Sequence, residues 1–261
     1  MAIVAIIPAR FGSTRLPGKP LSDIHGQPMV QRVYERVRRA SRITRVLVAT
    51  DDERIARAVA AFGGEVVMTS AGHATGTDRL AEVAASLDAD VVVNVQGDEP
   101  LIDPAVIDAV VAPFADEPSL PMATVSMPLR SLADMLSPTV VKVVTDARGN
   151  ALYFSRSPIP FVRDGGPSDA RSAAERALAL GLARQHVGLY AYRKDALLRF
   201  AALPRSPLEE AEGLEQLRAL AAGMAVRVVA REGEAGRAVD TPADLEQVRL
   251  LLAGAGERTE A

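Results

Sequence analysis

The chain has 261 residues, 48% hydrophobic and 24% charged, with a formal net charge of −3; this is globular composition and argues against a general nucleic-acid surface. Cysteine is absent and the three histidines, His25, His73 and His186, are scattered, which excludes disulfides, thiolate nucleophiles and Cys-ligated metal and points any metal site to carboxylates. No apolar run approaches the roughly 18 residues of a membrane span, and Met1 leads directly into an apolar strand with no basic leader, so a cytoplasmic location and no membrane partner are expected.

Ile3–Ile7, Arg45–Ala49, Glu65–Met68 and Val91–Gln96 read as strands. Between them, Met29–Ala40, Glu53–Phe62 and Arg79–Leu87 carry apolar residues three and four apart, as helices do. This alternation predicts an α/β fold with a mostly parallel sheet flanked by helices. Val91-Val92-Val93 is continuous, as expected of a strand buried on both faces. Thr50-Asp51-Asp52-Glu53 predicts a capping box with Thr50 as the cap. Asp103-Pro104, Ser206-Pro207 and Thr241-Pro242 each place a capping side chain before a proline at the first helical position.

Beyond Pro118 strands dominate: Met122–Leu129, Val140–Thr145, Ala151–Phe154 and Gln185–Arg193, with a hairpin through Gly149-Asn150. A helix from Leu208 to about Ala222, a strand Ala225–Ala230 and a last helix Pro242–Leu252 follow. The Gly-, Ser- and Ala-rich stretch Asp164–Leu182 reads as a surface loop with a short helix, or as a mobile lid. Ala253–Ala261 is expected to fray.

The stretch richest in chemistry is Pro8–Pro20, at the C-terminal end of the first strand, where open α/β sheets place ligands. It holds Arg10, Arg15 and Lys19, the glycines Gly12 and Gly18 and the hydroxyls of Ser13 and Thr14, and no acidic residue precedes Asp23. Uncompensated positive charge there suits a polyphosphate, each close cation contributing on the order of 4 kcal/mol before desolvation. Pro20 after Gly18-Lys19 and five residues between the glycines distinguish it from a Walker A loop. A basic surface turn is the plain alternative.

Gln96-Gly97-Asp98-Glu99-Pro100 follows a buried strand, so Asp98 projects at the same sheet edge, placed to hold Mg²⁺ against a triphosphate or to form a turn. Asp240 ends the loop after the strand Ala225–Ala230; from chemistry alone it is equally a metal ligand or a helix-start carboxylate. Asp88-Ala89-Asp90 has the form of a glycosyltransferase metal motif but precedes a strand. Asp51-Asp52 is assigned to capping, Glu209 to a capping box with Ser206, and His25 and His73 to no role.

Pro8–Pro20, read as P-A-R-x-G-S-T-R-L-P-G-K-P, resembles the signature of the sugar-acid cytidylyltransferases. Within that family it is most similar to the branch acting on 3-deoxy-D-manno-octulosonate. Gly76–Val83, Val93–Pro100, Tyr153–Arg156, Leu214–Arg218 and Val239–Pro242 agree in the same order, so the resemblance runs from Ile3 to about Leu250. It implies a Rossmann-like nucleotide-binding sheet within a single nucleotidyltransferase domain, residues 1–261. A smaller strand-containing part at about 122–193 would serve sugar binding and dimerisation, and the chain would form a homodimer. The implied reaction is CTP plus the octulosonate giving the CMP-sugar and pyrophosphate, for lipopolysaccharide synthesis.

On the resemblance, Arg15, Lys19 and Asp98 are catalytic, and Arg10, Gly12, Ser13, Arg15, Lys19, Thr77 and Arg79 bind nucleotide. Asp98 and Asp240 hold Mg²⁺. Gln96, Arg156, His186, Tyr190, Glu215 and Gln216 orient the sugar acid. His186 and Tyr190 share a strand face and Glu212, Glu215 and Gln216 a helix face, although an ordinary His–Tyr face and a solvated helix carry the same pattern. An N-acylneuraminate or 8-amino-sugar cytidylyltransferase, a glycosyltransferase consuming a nucleotide sugar, and a non-catalytic nucleotide sensor are the rival readings.

Overall fold

The computed structural model describes residues 1–12, 15–73, 75–163, 169–233, 236 and 238–256, the side chains of 254–256 excepted. It divides into two compact units, Met1–Val111 with Gly236–Ala261, and Ala112–Ala235.

In the first unit the chain runs β1 (Ile3–Ala9), the two-residue strands β2 (Asp23–Ile24) and β3 (Gln27–Pro28), α1 (Met29–Arg38), β4 (Arg45–Thr50), α2 (Glu53–Ala61), β5 (Val66–Met68), α3 (Gly76–Ala85), β6 (Val91–Asn94) and α4 (Pro104–Val111). The large strands lie in the order β6-β1-β4-β5. All three pairings are parallel, as helical crossovers between successive strands require. β6 is buried at every position, which explains its unbroken valines. On α1, Met29, Val30, Val33, Tyr34 and Val37 are buried, the stripe that three- and four-residue spacing produces.

Two helix starts differ from expectation. The N-cap of α2 is Asp52, whose side chain accepts from the Arg54 N–H. Thr50 Oγ1 instead accepts from the Asp52 N–H, because an acidic side chain next to the helix outcompetes a hydroxyl two residues earlier. α3 begins at Gly76, three residues before the expected start, since Thr75 and Asp78 form a reciprocal capping box.

The second unit contains α5 (Pro113–Asp116), β7 (Met122–Pro128), α6 (Leu132–Leu136), β8 (Lys142–Thr145), β9 (Ala151–Ser155), α7 (Ala170–Ala179), β10 (Arg184–Arg193), α8 (Lys194–Ala202), α9 (Pro207–Glu212), α10 (Gln216–Ala221) and β11 (Val226–Ala230). β7 pairs antiparallel with β10 and parallel with β11. The expected hairpin is β8–β9; at its turn Gly149 has φ 79 and the Asp146 carboxylate accepts from the Arg148 and Asn150 N–H groups. α7 fills part of Asp164–Leu182, capped by Asp169, and buries Ala174 and Ala177 with Leu129 and Met135. Residues 164–168 of that stretch lie outside the described residues.

The single helix expected from Leu208 to Ala222 is two. Gly213 adopts φ 61 and closes α9 with its N–H on the Glu209 carbonyl, a left-handed ending that glycine adopts without strain. The last helix, α11 (Pro242–Gly256), belongs to the first unit; its Leu245 and Val248 pack with Ile24, Met29 and Val239. The fold is thus α/β, a parallel sheet with helices and a second, strand-rich part. Among the described residues no helix is long and apolar enough to cross a membrane.

Candidate active site

The loop after β1 is folded back on itself. The Gly18 N–H donates to the Phe11 carbonyl at 3.1 Å, and Gly18, at φ 70, lies against the Phe11 ring so closely that a Cβ there would approach it to 3.2 Å. The Arg54 guanidinium covers that ring at 3.3 Å from its centroid, a cation–π contact, while Asp52 holds Arg54 at 2.6 Å. Pinned in this way, the loop forms one wall of a cleft of about 280 Å³, lined also by Pro8, Gly76, Gln96, Gly97 and Asp98. Gly97 is required here: a Cβ would stand 2.8 Å from the Pro8 carbonyl oxygen.

Asp98 and Asp240 arrive from distant parts of the sequence and meet at Lys19. The Lys19 Nζ lies 2.7 Å from Asp98 Oδ2 and 3.3 Å from Asp240 Oδ1; Arg15 Nη2 reaches the same Asp240 oxygen at 3.0 Å. The Val239 N–H donates to the Asp98 carbonyl at 2.8 Å, fixing the two segments in register. Asp240 is not the helix cap. Thr241 Oγ1 accepts from the Asp244 N–H and the Asp244 carboxylate takes the Asp240 and Thr241 N–H groups, so the Asp240 carboxylate is left to the cations. Next to Asp98, burial and then the Asp98 charge push the Glu99 carboxyl up to about 7.

Two carboxylates converging on one cation form a hard-oxygen pair of the kind Mg²⁺ takes when phosphate and water supply its other ligands. The donor set therefore fits that ion. The described residues contain no cluster of three or more His, Asp or Glu side chains suited to a metal.

The remaining nucleotide candidates are distributed unevenly. Gly12 lines the cleft with Arg10, whose Nη2 donates to the His73 carbonyl at 3.0 Å; His73 in turn contacts Glu82. Ser13 lies outside the described residues. Thr77 is buried in the first turn of α3. Arg79 is fully buried and does not line the cleft. Its Nη2 pairs with Asp51 at 2.9 Å and its Nη1 with Thr69. In place of the expected reach to base or phosphate, it braces the ends of β4 and β5 from within, and Asp51 serves that pair where capping was expected.

Of the sugar-acid candidates, Gln96 belongs to the first unit and lines the cleft beside Asp98; the other five belong to the second. Arg156 follows β9. Its Nε donates to the Glu212 carbonyl at 2.6 Å and its Nη1 to the Pro138 carbonyl at 2.8 Å. His186 and Tyr190 face one side of β10, ring centroids 5.3 Å apart, and a Cβ on the intervening Gly188 would meet open space. Burial pulls the His186 imidazole down to about 3 and pushes the Tyr190 phenol well up. Glu215 accepts from Arg218 at 3.3 Å. Gln216 is buried, and its Nε2 has no hydrogen-bond partner among the described residues. Glu212 does not share the Glu215 face, because Gly213 breaks the helix between them.

Two residues of this second cluster receive no functional role from the sequence, which places Glu212 only on a helix face. Lys142 is fully buried, its ammonium held by the Ser137, Val140 and Arg156 carbonyls, and Glu212 accepts from Ser155 Oγ and the Arg156 N–H. Each looks like an ordinary strand or helix charge in sequence.

Residues 4–227 match the family model described as cytidylyltransferase. Over 254 residues, 97% of this chain and all of the relative, the chain is 57% identical to 3-deoxy-manno-octulosonate cytidylyltransferase of Syntrophotalea carbinolica. It is 58% identical to the protein of that name from Geobacter sulfurreducens, over 95% of this chain and 98% of the other. A solved structure of CMP:2-keto-3-deoxy-manno-octonic acid synthetase complexed with CTP superposes with a TM-score of 0.89 at 47% identity, covering 98% of this chain and 100% of that one. A synthase of 4-diphosphocytidyl-2C-methyl-D-erythritol from Anaerococcus prevotii, 13% identical with a TM-score of 0.61 over 97% of this chain and 96% of that one, shares the fold. The cleft, its paired aspartates and these likenesses agree: the chain belongs to the cytidylyltransferase family, on its 3-deoxy-manno-octulosonate branch.

Proposed function

We propose that this enzyme transfers CMP from CTP to 3-deoxy-D-manno-octulosonate, releasing pyrophosphate and supplying the activated sugar for lipopolysaccharide synthesis. The observation that carries the reading is the meeting of Asp98 and Asp240 at Lys19, 2.7 and 3.3 Å from its Nζ, beside a cleft walled by the loop that holds Arg10 and Gly12.

The reaction is an in-line displacement at the α-phosphorus by the sugar's anomeric hydroxyl, which needs alignment and charge neutralisation more than covalent catalysis. Arg10, Arg15 and Lys19 bind the triphosphate, and Gly12 lets the backbone approach it. On nucleotide binding Lys19 gives up the two carboxylates and turns its ammonium to a phosphate oxygen. Asp98 and Asp240 are the residues that would hold Mg²⁺, which would supply charge neutralisation on the triphosphate and a more acidic attacking hydroxyl. Gln96, Arg156, His186, Tyr190, Glu215 and Gln216 orient the sugar acid. Arg156 serves its carboxylate, and the neutral His186 and Tyr190 and the unpartnered Gln216 amide serve its hydroxyls.

A homodimer and a cytoplasmic location, where CTP is made, complete the reading. A sizing column tests the homodimer directly. For the activity, pyrophosphate release is followed with Mg²⁺, CTP and the octulosonate, beside wells holding N-acetylneuraminate or other nucleoside triphosphates. Release only with CTP and the octulosonate supports both halves of the assignment. Release with another acid replaces the sugar, and CTP binding without release in any well replaces catalysis by sensing.

A further inference from the structure

Among the described residues, Arg156 is held by main-chain oxygens alone. Nε, Nη1 and Nη2 each meet one carbonyl, of Glu212, Pro138 and Gly213, at 2.6, 2.8 and 3.4 Å. An arginine carries five N–H donors, so one on each terminal nitrogen stays uncommitted among the described residues. No carboxylate lies within ion-pair distance of the guanidinium among those residues either, although Glu212 is adjacent. The Glu212 carboxylate is spent on one backbone N–H and on the hydroxyls of Ser155 and Tyr153. Oε2 accepts from the Arg156 N–H at 2.9 Å and Oε1 from Ser155 Oγ at 2.6 Å. On the other side of the same residue, the Arg156 carbonyl accepts from the buried Lys142 ammonium, whose other two bonds go to Ser137 and Val140 at 2.9 and 2.6 Å. Burial, and next to it the Arg156 charge, pull the Lys142 ammonium down, and the Glu212 charge opposes the shift.

We propose that Glu212 is a positioning residue for the sugar acid: by gripping the main-chain N–H of Arg156 and the hydroxyl of Ser155 it aims a guanidinium that it does not itself neutralise. A carboxylate on the guanidinium would fix Arg156 equally well and would leave it nothing to offer an anionic substrate. A carboxylate on the backbone fixes the residue and keeps its two donors and its full charge for the carboxylate of the incoming acid, the planar pairing arginine makes best. The Lys142 ammonium completes the grip from the carbonyl side. This inference rests on the proposed function, in which Arg156 receives the sugar acid.

The test is steady-state kinetics on the full-length enzyme, varying CTP and the octulosonate separately, for wild type, Glu212→Gln, Glu212→Asp, Arg156→Ala and the double variant Glu212→Gln/Arg156→Ala. Glu212→Gln is expected to raise the KM for the sugar acid at least tenfold while the KM for CTP stays within twofold. Glu212→Asp, which keeps the charge with a shorter reach, recovers part of the loss and carries the test should the Gln variant fail to fold. In the Arg156→Ala background Glu212→Gln is expected to change the sugar-acid KM less than twofold further. Equal movement of both KM values, no movement, or a full additional loss without Arg156 overturns the proposal. A wild-type enzyme that turns over no sugar acid overturns the functional reading beneath it, and that failure is visible before any variant is made.

Discussion

The Val239 N–H donates to the Asp98 carbonyl at 2.8 Å, and this bond between the segments after β6 and before α11 is what lets two aspartates share one lysine. Removing one of the carboxylates while keeping its shape isolates its charge. Asp98→Asn is expected to lower turnover at least tenfold, with the thermal midpoint within a few degrees of wild type. Asp98 is partly exposed and its partner Lys19 keeps Asp240 at 3.3 Å, so little stability is at stake. Unchanged turnover in the purified variant would remove Asp98 from the proposed Mg²⁺ pair.

Two glycines of the cleft should fail in opposite ways. Gly97→Ala drives a methyl to 2.8 Å from the Pro8 carbonyl oxygen, and backbone cannot yield as a flexible side chain does. The expected loss is about 1–3 kcal/mol of stability, read as a lower urea midpoint. Gly12→Ala meets nothing within 4 Å, so its midpoint should match wild type, while the methyl enters the cleft and raises the KM for CTP. A normal midpoint for Gly97→Ala would mean that the close approach of β1 and β6 is not rigid.

How far the sequence carries can be read at individual residues. The alternation of strands and helices, the buried valines of β6 and the Arg10–Lys19 loop at the end of β1 are local patterns, and they were legible. The pairing of Asp98 with Asp240 was not legible from spacing, because a bond across the fold makes it; only the resemblance joined them. Gly213 escaped because one glycine in a helical pattern costs only about 1 kcal/mol, too little to separate a weak helix from a broken one. Thr50 and Asp52 compete for one cap, and the choice turns on where the strand ends. Arg79 is the instructive error. An arginine opening a helix near a phosphate loop looks the same whether it faces ligand or interior, and the residues that decide it, Asp51 and Thr69, belong to other strands' loops.

Arg79 can therefore be separated from the proposed nucleotide contacts by the kind of damage its loss does. Arg79→Met keeps most of the buried stem and removes the donors to Asp51 and Thr69. The expected result is a loss of about 1–3 kcal/mol in unfolding free energy, with the KM for CTP within twofold of wild type. Arg15→Met, at a side chain 65% exposed, should do the reverse: an unchanged melting curve and a raised KM. A raised KM for Arg79→Met without loss of stability would return that residue to the nucleotide.

Acid stability should report on His186. Its imidazole, pulled down to about 3 by burial, sits beside Phe154 and Tyr190 with Nε2 3.0 Å from Thr124 Oγ1. Unfolding restores an ordinary value of about 6.5. Between these two values the unfolded chain binds a proton that the folded chain does not, so stability falls as pH drops through that window and is unaffected above it. One such group contributes a slope of at most about 1.4 kcal/mol per pH unit. Urea denaturation at pH 7 and pH 5 should therefore show wild type losing about 1–2 kcal/mol more than His186→Gln, which keeps a polar group near Thr124 and cannot titrate. Parallel losses in the two proteins would mean that the folded imidazole accepts its proton near the ordinary value, and that the face it shares with Tyr190 is open to water.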